Sequence, residues 1–291
     1  SAGQFRHRGM SGQFMAVNRN KRSLALDLKH PDGKAVLQRL VRTADVLVSN
    51  IRPAGLARLG FSYEDCRALK PDLIYASATG FGQDGPWRAR PAYDEIIQAA
   101  SGFASALGTE DEPAFVPSLV ADKLCGMALS SAVSAALLYR ERTGEGQQVE
   151  VPMLETLAAF NSIEMLGGRA FSPPIGPARY KRVQERRPVR TKDGWMTMLP
   201  YSSDNWCAFY EAVGHPECIE EFAVRDKVER ARNIDRIYDK MSEIGLQRTT
   251  AEWEALLLDI DVPHTAFAVL EEVTEQPHLK AVGLFEELDH P

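Results

Sequence analysis

Strand-like and helix-like segments take turns along the first 170 residues, and this alternation limits the fold more than any other feature of the chain. Short apolar segments predict strands at residues 23–28, 45–50, 72–82 and 146–153. Apolar residues at helical spacing predict helices at residues 31–44, 93–108, 122–144 and 154–168. Strands that alternate with helices form largely parallel sheets covered by helices. We therefore expect an α/β fold whose ligand lies beyond the carboxyl ends of the strands.

The second part of the chain has a different pattern and predicts a second, smaller domain. A Gly/Pro/Arg-rich stretch is followed by a hairpin-like pair around Asp193 and Gly194, several charged helices and a short strand at residues 263–270. We expect a large α/β domain over residues 1–175 and a small α+β domain over residues 188–273. Residues 176–187 form a predicted linker, and residues 274–291 form a second linker that returns toward the large domain.

Charge and cysteine content exclude several classes of function. A net charge of −6 argues against general nucleic-acid binding, which needs a broad basic face. The four cysteines form no C-x-x-C pair and no cluster with histidine, so we expect neither a disulfide framework nor a metal site. No apolar run approaches the roughly 20 residues of a membrane span, and the first residues lack the apolar core of a signal peptide. These features predict a soluble cytoplasmic protein.

Basic side chains gather near the ends of the predicted strands. They precede the first strand and follow the second and third: Lys21, Arg22, Arg52, Arg58, Arg88 and Arg90. Arginine beside Gly/Pro turns suits a phosphate-bearing ligand, because the guanidinium fork matches phosphate oxygens. The same residues also fit a set of solvated surface charges. Spacing alone leaves both interpretations open.

Asp122 is the one carboxylate in the mostly apolar stretch that leads into the longest predicted helix. As a helix cap it would accept a hydrogen bond from a first-turn backbone N–H, a contribution of about 1 kcal/mol. As a catalyst it would benefit from the helix start, where N–H groups and the helix dipole favour an anionic nucleophile. The residues themselves favour the cap.

Several ordered motifs together resemble the class III CoA-transferases, the family of formyl-CoA transferase and the carnitine CoA-transferase. The resemblance runs from about Asn18 to the end of the chain. The motifs that carry it are "NRNKRSLALDL", "ADVLVSNIRPAGLARLGF", "PDLIYASATGFGQDGP", "PAYDEIIQAASG", "VADKLCGM" and "YRERTGEGQQVEVPMLE". Compared with the family, the chain is expected to lack the strand that normally precedes "NRNKRS" and the closing C-terminal segment.

The resemblance implies a site, a substrate and an assembly. The nucleophilic aspartate of the family falls on Asp122, and its acid selectivity is expected to involve residues 186–190 and the small domain. Coenzyme A is implied as co-substrate, with an acyl-CoA and a small carboxylic acid as partners and an interlocked homodimer as the assembly. The CoA contacts of the family fall on Leu26, Lys29, Asn50, Ile51, Arg52, Arg58, Pro91, Ala92, Tyr93 and Asp94.

Two other functions remain open at this point. The α-methylacyl-CoA racemases share the fold, but their motif carries histidine where this chain has Tyr93. Neutral tyrosine, with a pKa near 10, is a poor base near neutral pH, so the residue favours transfer over racemisation. The second alternative is a catalytically inactive CoA-binding protein, which the expected shortness of the chain would allow.

Overall fold

A computed structural model describes residues 5–7, 10–108, 111–178 and 186–289, and these residues form two compact units. The first unit is Ser1–Leu166 and the second is Gly167–Pro291. Part of the predicted linker, residues 179–185, lies outside the described residues. The predicted domain and linker boundaries stay predictions.

The first unit is built on a three-stranded parallel sheet flanked by helices, which confirms the predicted α/β architecture. Strand β4 lies in the centre and pairs with β3 and β5. The elements in chain order are β1 (Phe5–His7), β2 (Met10–Ser11), α1 (Gly12–Val17), α2 (Pro31–Thr43), β3 (Val46–Ser49), α3 (Pro53–Leu59), α4 (Tyr63–Leu69), β4 (Ile74–Thr79), α5 (Asp94–Ala100), α6 (Phe103–Leu107), α7 (Val120–Thr143), β5 (Gln147–Pro152) and α8 (Met153–Met165).

The strand predicted at residues 23–28 is wrong. This segment has no regular secondary structure, and Leu24 is 60% exposed. No described strand pairs with it, whereas β3 and β5 each find a place beside β4. A strand needs a neighbour for its backbone hydrogen bonds, so an alternating apolar pattern without a paired edge does not form one.

Successive residues of β4 point to opposite faces of the sheet and hold two cores together. On one face Tyr75 packs with Leu56 and Phe61, and its hydroxyl donates a 3.0 Å hydrogen bond to the Phe61 carbonyl. On the other face Ala76 packs with Cys125 of α7 and Val151 of β5. The second core fixes the first turns of α7 against the carboxyl ends of β4 and β5.

Two glycines set the limits of helices around this core. The run predicted as one helix over residues 93–108 forms two helices, because Gly102 adopts a left-handed φ of 80° that interrupts helical geometry. Gly144 ends α7 with a φ of 77°. With 24 residues and an 18-residue window of mean hydropathy 1.3, α7 is long and apolar enough to cross a membrane by length and composition. Core helices of water-soluble proteins meet the same criterion, so this is weak evidence for a span.

The second unit is an antiparallel sheet packed against helices. The turn predicted at Asp193 and Gly194 is confirmed, because β6 and β7 pair as a hairpin around it and β8 completes the sheet. An aromatic core that includes Trp206, Phe209 and Trp253 is buried beside this sheet. The elements are β6 (Val189–Arg190), β7 (Trp195–Met198), α9 (Ser203–Ala212), α10 (Glu217–Glu221), α11 (Lys227–Arg232), α12 (Ile234–Gly245), α13 (Thr250–Asp259), β8 (His264–Ala266) and α14 (Pro277–Ala281), with 3₁₀ turns at Gly167–Ala170 and Leu270–Glu275.

Candidate active site

Asp122 lies in the first turn of α7 without capping it. The helix begins at Val120, and its N-cap residue, Leu119, makes no side-chain capping bond. Asp122 is therefore the third helical residue, and none of the described residues donates a hydrogen bond to its carboxyl. The interpretation of Asp122 as a helix cap is wrong, and its carboxyl is exposed at the wall of a cleft.

The buried Asp94, and not Asp122, accepts a hydrogen bond from a backbone N–H in the first turn of α7. Its Oδ2 accepts a 3.0 Å hydrogen bond from the backbone N–H of Asp122. Its Oδ1 accepts a 2.6 Å bond from the side chain of Gln98, whose own carbonyl accepts the N–H of Val116 at 2.9 Å. Asp94 and Gln98 are only 2% and 1% exposed. A buried, charge-assisted network therefore fixes the main chain of Asp122 against α5.

The Asp122 carboxyl opens onto a cleft of about 750 Å³ at the carboxyl end of the parallel sheet. This is the edge where α/β sheets bind their ligands, and the volume lies in the range of small-molecule sites. Three segments supply most of the wall: the turn after β3, the end of β4, and the chain that leads into α5. The lining residues are Asn50, Ile51, Arg52, Ala78, Thr79, Gly80, Arg90, Pro91, Ala92, Tyr93, Asp122, Cys125, Gly126 and Met153.

The glycine-rich loop after β4 allows these segments to approach one another. A Cβ at Gly80 would lie 2.3 Å from the Cβ of Ala92, so only glycine permits this contact. The backbone N–H of Gly82 donates to the Glu155 carboxylate at 2.9 Å, and the N–H of Gln83 donates to Glu150 at 2.9 Å. Carboxylates from β5 and α8 thus hold the loop in place.

Two arginines bring positive charge to the rim. The guanidinium of Arg52 donates a 3.0 Å hydrogen bond to the carbonyl of Ala89, which connects the turn after β3 to the loop after β4. The guanidinium of Arg90 lies 4.5 Å from the ring centroid of Trp87, and Trp87 packs edge-on against Phe81. Both arginines are exposed, so their remaining donors face solvent at the mouth of a site suited to an anionic ligand.

The pKa of the Asp122 carboxyl is shifted in the direction opposite to the one expected from the sequence. Partial burial raises the pKa of the Asp122 carboxyl, and the nearby carboxylates of Asp94 and Glu95 raise this pKa further. The helix start was expected to favour the anion. Desolvation and two like charges outweigh that effect, which makes Asp122 a stronger base than an ordinary aspartate.

The structure brings many of the predicted contact residues together around Asp122. Asn50, Ile51, Arg52, Pro91, Ala92 and Tyr93 line the same cleft. Asp94 lies buried behind the wall, while Leu26, Lys29 and Arg58 are not part of the lining. Lys29 follows a turn in which its N–H donates to Asp27, and Arg58 lies in the last turn of α3. The roles of these four residues stay predictions.

Sequence reasoning did not assign seven of the lining residues to the site, and most of them had a usable signal. Ala78 and Thr79 are the last residues of β4 and Gly80 follows them, where the strand-end rule predicts ligand contacts. Cys125 and Gly126 lie three and four residues after Asp122, a spacing that places them on the same helix face. Arg90 was noted as a basic residue but not as part of the site. Met153, at the start of α8, had no signal in its local sequence.

Comparison with known proteins identifies the family of the chain. The whole chain, residues 1–291, matches CoA-transferase family III. It is 35% identical to the succinate–glutarate CoA-transferase of Agrobacterium fabrum, over 95% of this chain and 70% of the relative. It is 30% identical to the mouse succinyl-CoA:glutarate CoA-transferase, over 97% of this chain and 65% of the relative. The chain thus spans about two thirds of the length of these relatives.

A solved structure has the same fold. The crystal structure of Rv3272 from Mycobacterium tuberculosis superimposes with a TM-score of 0.80 at 27% identity, covering 93% of this chain and 72% of that chain. The match across all residues, together with relatives that are named CoA-transferases, agrees with the resemblance read from the sequence motifs. The chain belongs to CoA-transferase family III.

Proposed function

We propose that this chain moves CoA from an acyl-CoA to a carboxylic acid, with Asp122 as the covalent nucleophile. One observation carries the proposal. The Asp122 carboxyl accepts no hydrogen bond from the described residues, yet it opens onto a cleft lined by the turn at Asn50–Arg52 and the segment at Arg90–Tyr93. A side chain anchored through its backbone, with its oxygens turned toward a ligand-sized space, is suited to attack a bound electrophile.

The proposed reaction exchanges one activated carboxyl for another. The Asp122 carboxylate attacks the thioester carbonyl of the donor, forms a mixed anhydride and releases CoA thiolate. The thiolate attacks the aspartyl carbonyl of that anhydride, which gives an aspartyl-CoA thioester and frees the donor acid. The acceptor carboxylate then attacks the aspartyl-CoA thioester, forms a second mixed anhydride and releases the CoA thiolate. The thiolate attacks the acceptor carbonyl of that anhydride, which gives the new acyl-CoA and restores the Asp122 carboxylate. The atoms balance without a metal, a redox cofactor or nucleotide hydrolysis.

The cleft supplies separate places for the two parts of an acyl-CoA. We propose that Arg52, Arg58 and Lys29 bind the CoA phosphates, because guanidinium and ammonium groups match phosphate oxygens. Arg90 joins them on the strength of its place in the lining. Asn50 and Tyr93 would shape the passage toward Asp122, and the buried Asp94 would hold that passage through the Asp122 main chain.

The names of the relatives indicate which acceptor acids should be tested first. Among the relatives with at least 30% identity, those of Agrobacterium fabrum and mouse are named for transfer involving glutarate, and that of Acetobacter aceti is named for transfer involving oxalate. We therefore propose a short dicarboxylic acid as acceptor. The purified chain, incubated with succinyl-CoA and a panel of mono- and dicarboxylic acids, should form new acyl-CoA thioesters by mass spectrometry. If no new thioester forms with any of the acids, the transferase proposal is rejected.

A second experiment separates transfer from racemisation. Racemisation needs a base beside the α-carbon of the thioester, and among the described residues that line the cleft there is no histidine. The alternative of an α-methylacyl-CoA racemase is therefore not favoured. Deuterium entering the α-carbon of a 2-methylacyl-CoA in heavy water would reverse that judgement, and CoA binding without either reaction would favour an inactive CoA-binding protein.

The raised pKa of Asp122 predicts the acid side of the pH profile. Transfer requires ionised Asp122, so activity should be complete above this pKa and fall as the pH drops through it. Neutralising Glu95 by Glu95→Gln, or Asp94 by Asp94→Asn, removes one cause of the raised pKa. Each variant should therefore shift the acid limb of kcat/KM toward lower pH. Glu95→Gln is the cleaner test, because Glu95 is exposed while Asp94 anchors the helix.

A profile that stays in place, or moves toward higher pH, would contradict this account. Glu64→Gln serves as the matched control, since it removes an exposed first-turn glutamate of another helix, α4, outside the cleft lining. Its acid limb should coincide with that of the unsubstituted chain.

We also propose the interlocked homodimer of the family and a cytoplasmic location. Exposed apolar side chains on α7 and α8, among them Met127, Phe160 and Ile163, support a partner covering these helices. All four cysteines are free thiols, which suits a reducing compartment. Light scattering in solution tests the assembly, and a monomer at micromolar concentration would reject it.

A further inference from the structure

Gly126 is a glycine in a helix interior that the fold itself does not require. It lies in the second turn of α7, where glycine is less favourable than alanine because it has more conformational freedom to lose. Its φ is not positive, and a Cβ built at this position would meet no atom within 4 Å. Neither backbone geometry nor packing within the described chain explains the missing side chain.

The position of Gly126 relative to Asp122 supplies an explanation. The two residues are four apart on one helix, so they share a face and lie about 6 Å apart along the axis. Both line the same cleft. A thioester carbonyl within reach of the Asp122 carboxyl therefore has its acyl group or its pantetheine arm beside Gly126. The empty space at this residue continues the space in front of the nucleophile.

The other residues near this point favour the acyl group over the CoA arm. The basic residues of the lining, Arg52 and Arg90, lie on other segments, the turn after β3 and the chain that leads into α5, where we propose that the phosphates bind. Cys125, the chain neighbour of Gly126, instead packs in one apolar cluster with Ala78 and Met153, and all three line the cleft. An apolar wall without charge suits the carbon chain of an acyl group.

From this geometry we infer that Gly126 is a specificity-determining residue: its missing side chain leaves the room that acyl groups longer than acetyl occupy beside Asp122. This inference rests on the proposed function. A side chain at residue 126 would exclude long acyl groups before short ones. Hydrophobic pockets discriminate by roughly 10–200-fold for each methylene they cannot accommodate.

The test compares acyl-CoA thioesters of increasing chain length on three proteins: the unsubstituted chain, Gly126→Leu and Ser130→Leu. Ser130 is exposed, lies four residues further along the same helix face and does not line the cleft, so it controls for added bulk on α7. Affinities for acetyl-, butyryl- and hexanoyl-CoA are measured by calorimetry. Gly126→Leu should lower the ratio of hexanoyl-CoA to acetyl-CoA affinity at least about tenfold, and Ser130→Leu should leave it unchanged.

A second variant guards against a failure to fold. Gly126→Ala should raise the melting temperature by about 1–3 °C, because alanine is the better helix former and the added methyl meets no neighbour. It should still lower the chain-length ratio in the same direction. A stabilised protein with reduced affinity for long acyl groups is a combination that a purely structural role would not produce.

The outcomes separate this inference from the proposed function. An unsubstituted chain that binds no acyl-CoA would overturn both. An unsubstituted chain that binds the series, with a Gly126→Leu variant that weakens every member equally or none, would overturn the inference and leave the proposed function standing. An equal loss of affinity across the series would assign the space to the pantetheine arm, which every member carries.

Discussion

Replacing Asp122 by alanine should lower the rate of CoA transfer by at least about 10³-fold while the protein remains folded. The loss follows from the proposed chemistry, because no other carboxylate in the described lining of the cleft can form the anhydride. The fold should persist because the Asp122 side chain is exposed and accepts no hydrogen bond from the described residues; the bond that anchors the helix uses its backbone N–H. Single-turnover assays with succinyl-CoA measure the rate, and circular dichroism checks the fold.

Two matched variants sharpen this experiment. Asp122→Asn keeps the shape of the side chain and removes the nucleophile, so it should be as inactive as the alanine variant. Lys123→Ala removes an exposed neighbour that contacts Ser118 and should retain activity within about threefold. Hydroxylamine should trap an activated carboxyl as a hydroxamate on the peptide that carries residue 122. Transfer by Asp122→Ala above about one tenth of the original rate would remove Asp122 as nucleophile.

Replacing Trp253 by alanine should destabilise the second unit by about 3–5 kcal/mol. The Trp253 side chain is fully buried and stacks on Phe209, with ring centroids 6.1 Å apart and planes inclined by 20°. Its indole N–H donates a 2.8 Å hydrogen bond to the Gly245 carbonyl, which alanine would leave without this partner. The free energy of unfolding, measured by chemical denaturation, should show the loss in the transition that unfolds this unit.

The chain contains an internal control for this prediction. Trp195 is half exposed at the start of β7, and Trp195→Ala should cost less than about 1 kcal/mol. Trp253→Phe keeps most of the buried ring and should fall between the two, because it loses the hydrogen bond and leaves a smaller cavity. Equal effects of Trp195→Ala and Trp253→Ala would contradict the packing described for this core.

The central architecture was predictable because its signals are local. Strands β3 and β4 are short apolar runs followed by turns, whereas β5 alternates polar and apolar residues and leads directly into α8. Helix α7 combines apolar residues at helical spacing with a glycine stop at Gly144. The strand expected at residues 23–28 carries an equally good local pattern. Its failure depends on the lack of a paired neighbour, which is a property of the assembled sheet and not of the segment.

The candidate site was predictable only in part, for a related reason. The strand-end rule and the family motifs gave the segments, and Asp122 was singled out by its position in an apolar helix start. The pairing of the Asp94 carboxylate with the backbone N–H of Asp122 joins residues 28 positions apart, and no local pattern reports it. The Asp122 pKa is raised first by partial burial and then by the nearby Asp94 and Glu95 carboxylates. These effects arise only in the folded chain, whereas the helix start alone predicted the opposite direction.

The contrast between the anchored main chain and the unbound carboxyl of Asp122 has a kinetic consequence. Its N–H is held by a buried partner, whereas its oxygens are held by none of the described residues. Forming and breaking the covalent bond to the transferred group at Asp122 therefore requires only rotation about the two side-chain bonds of this residue. The backbone need not move. Rotamer changes of exposed side chains take picoseconds to nanoseconds, whereas loop and domain closures take microseconds or longer. NMR relaxation measurements should accordingly show no microsecond-to-millisecond exchange of the backbone at the start of α7 during turnover.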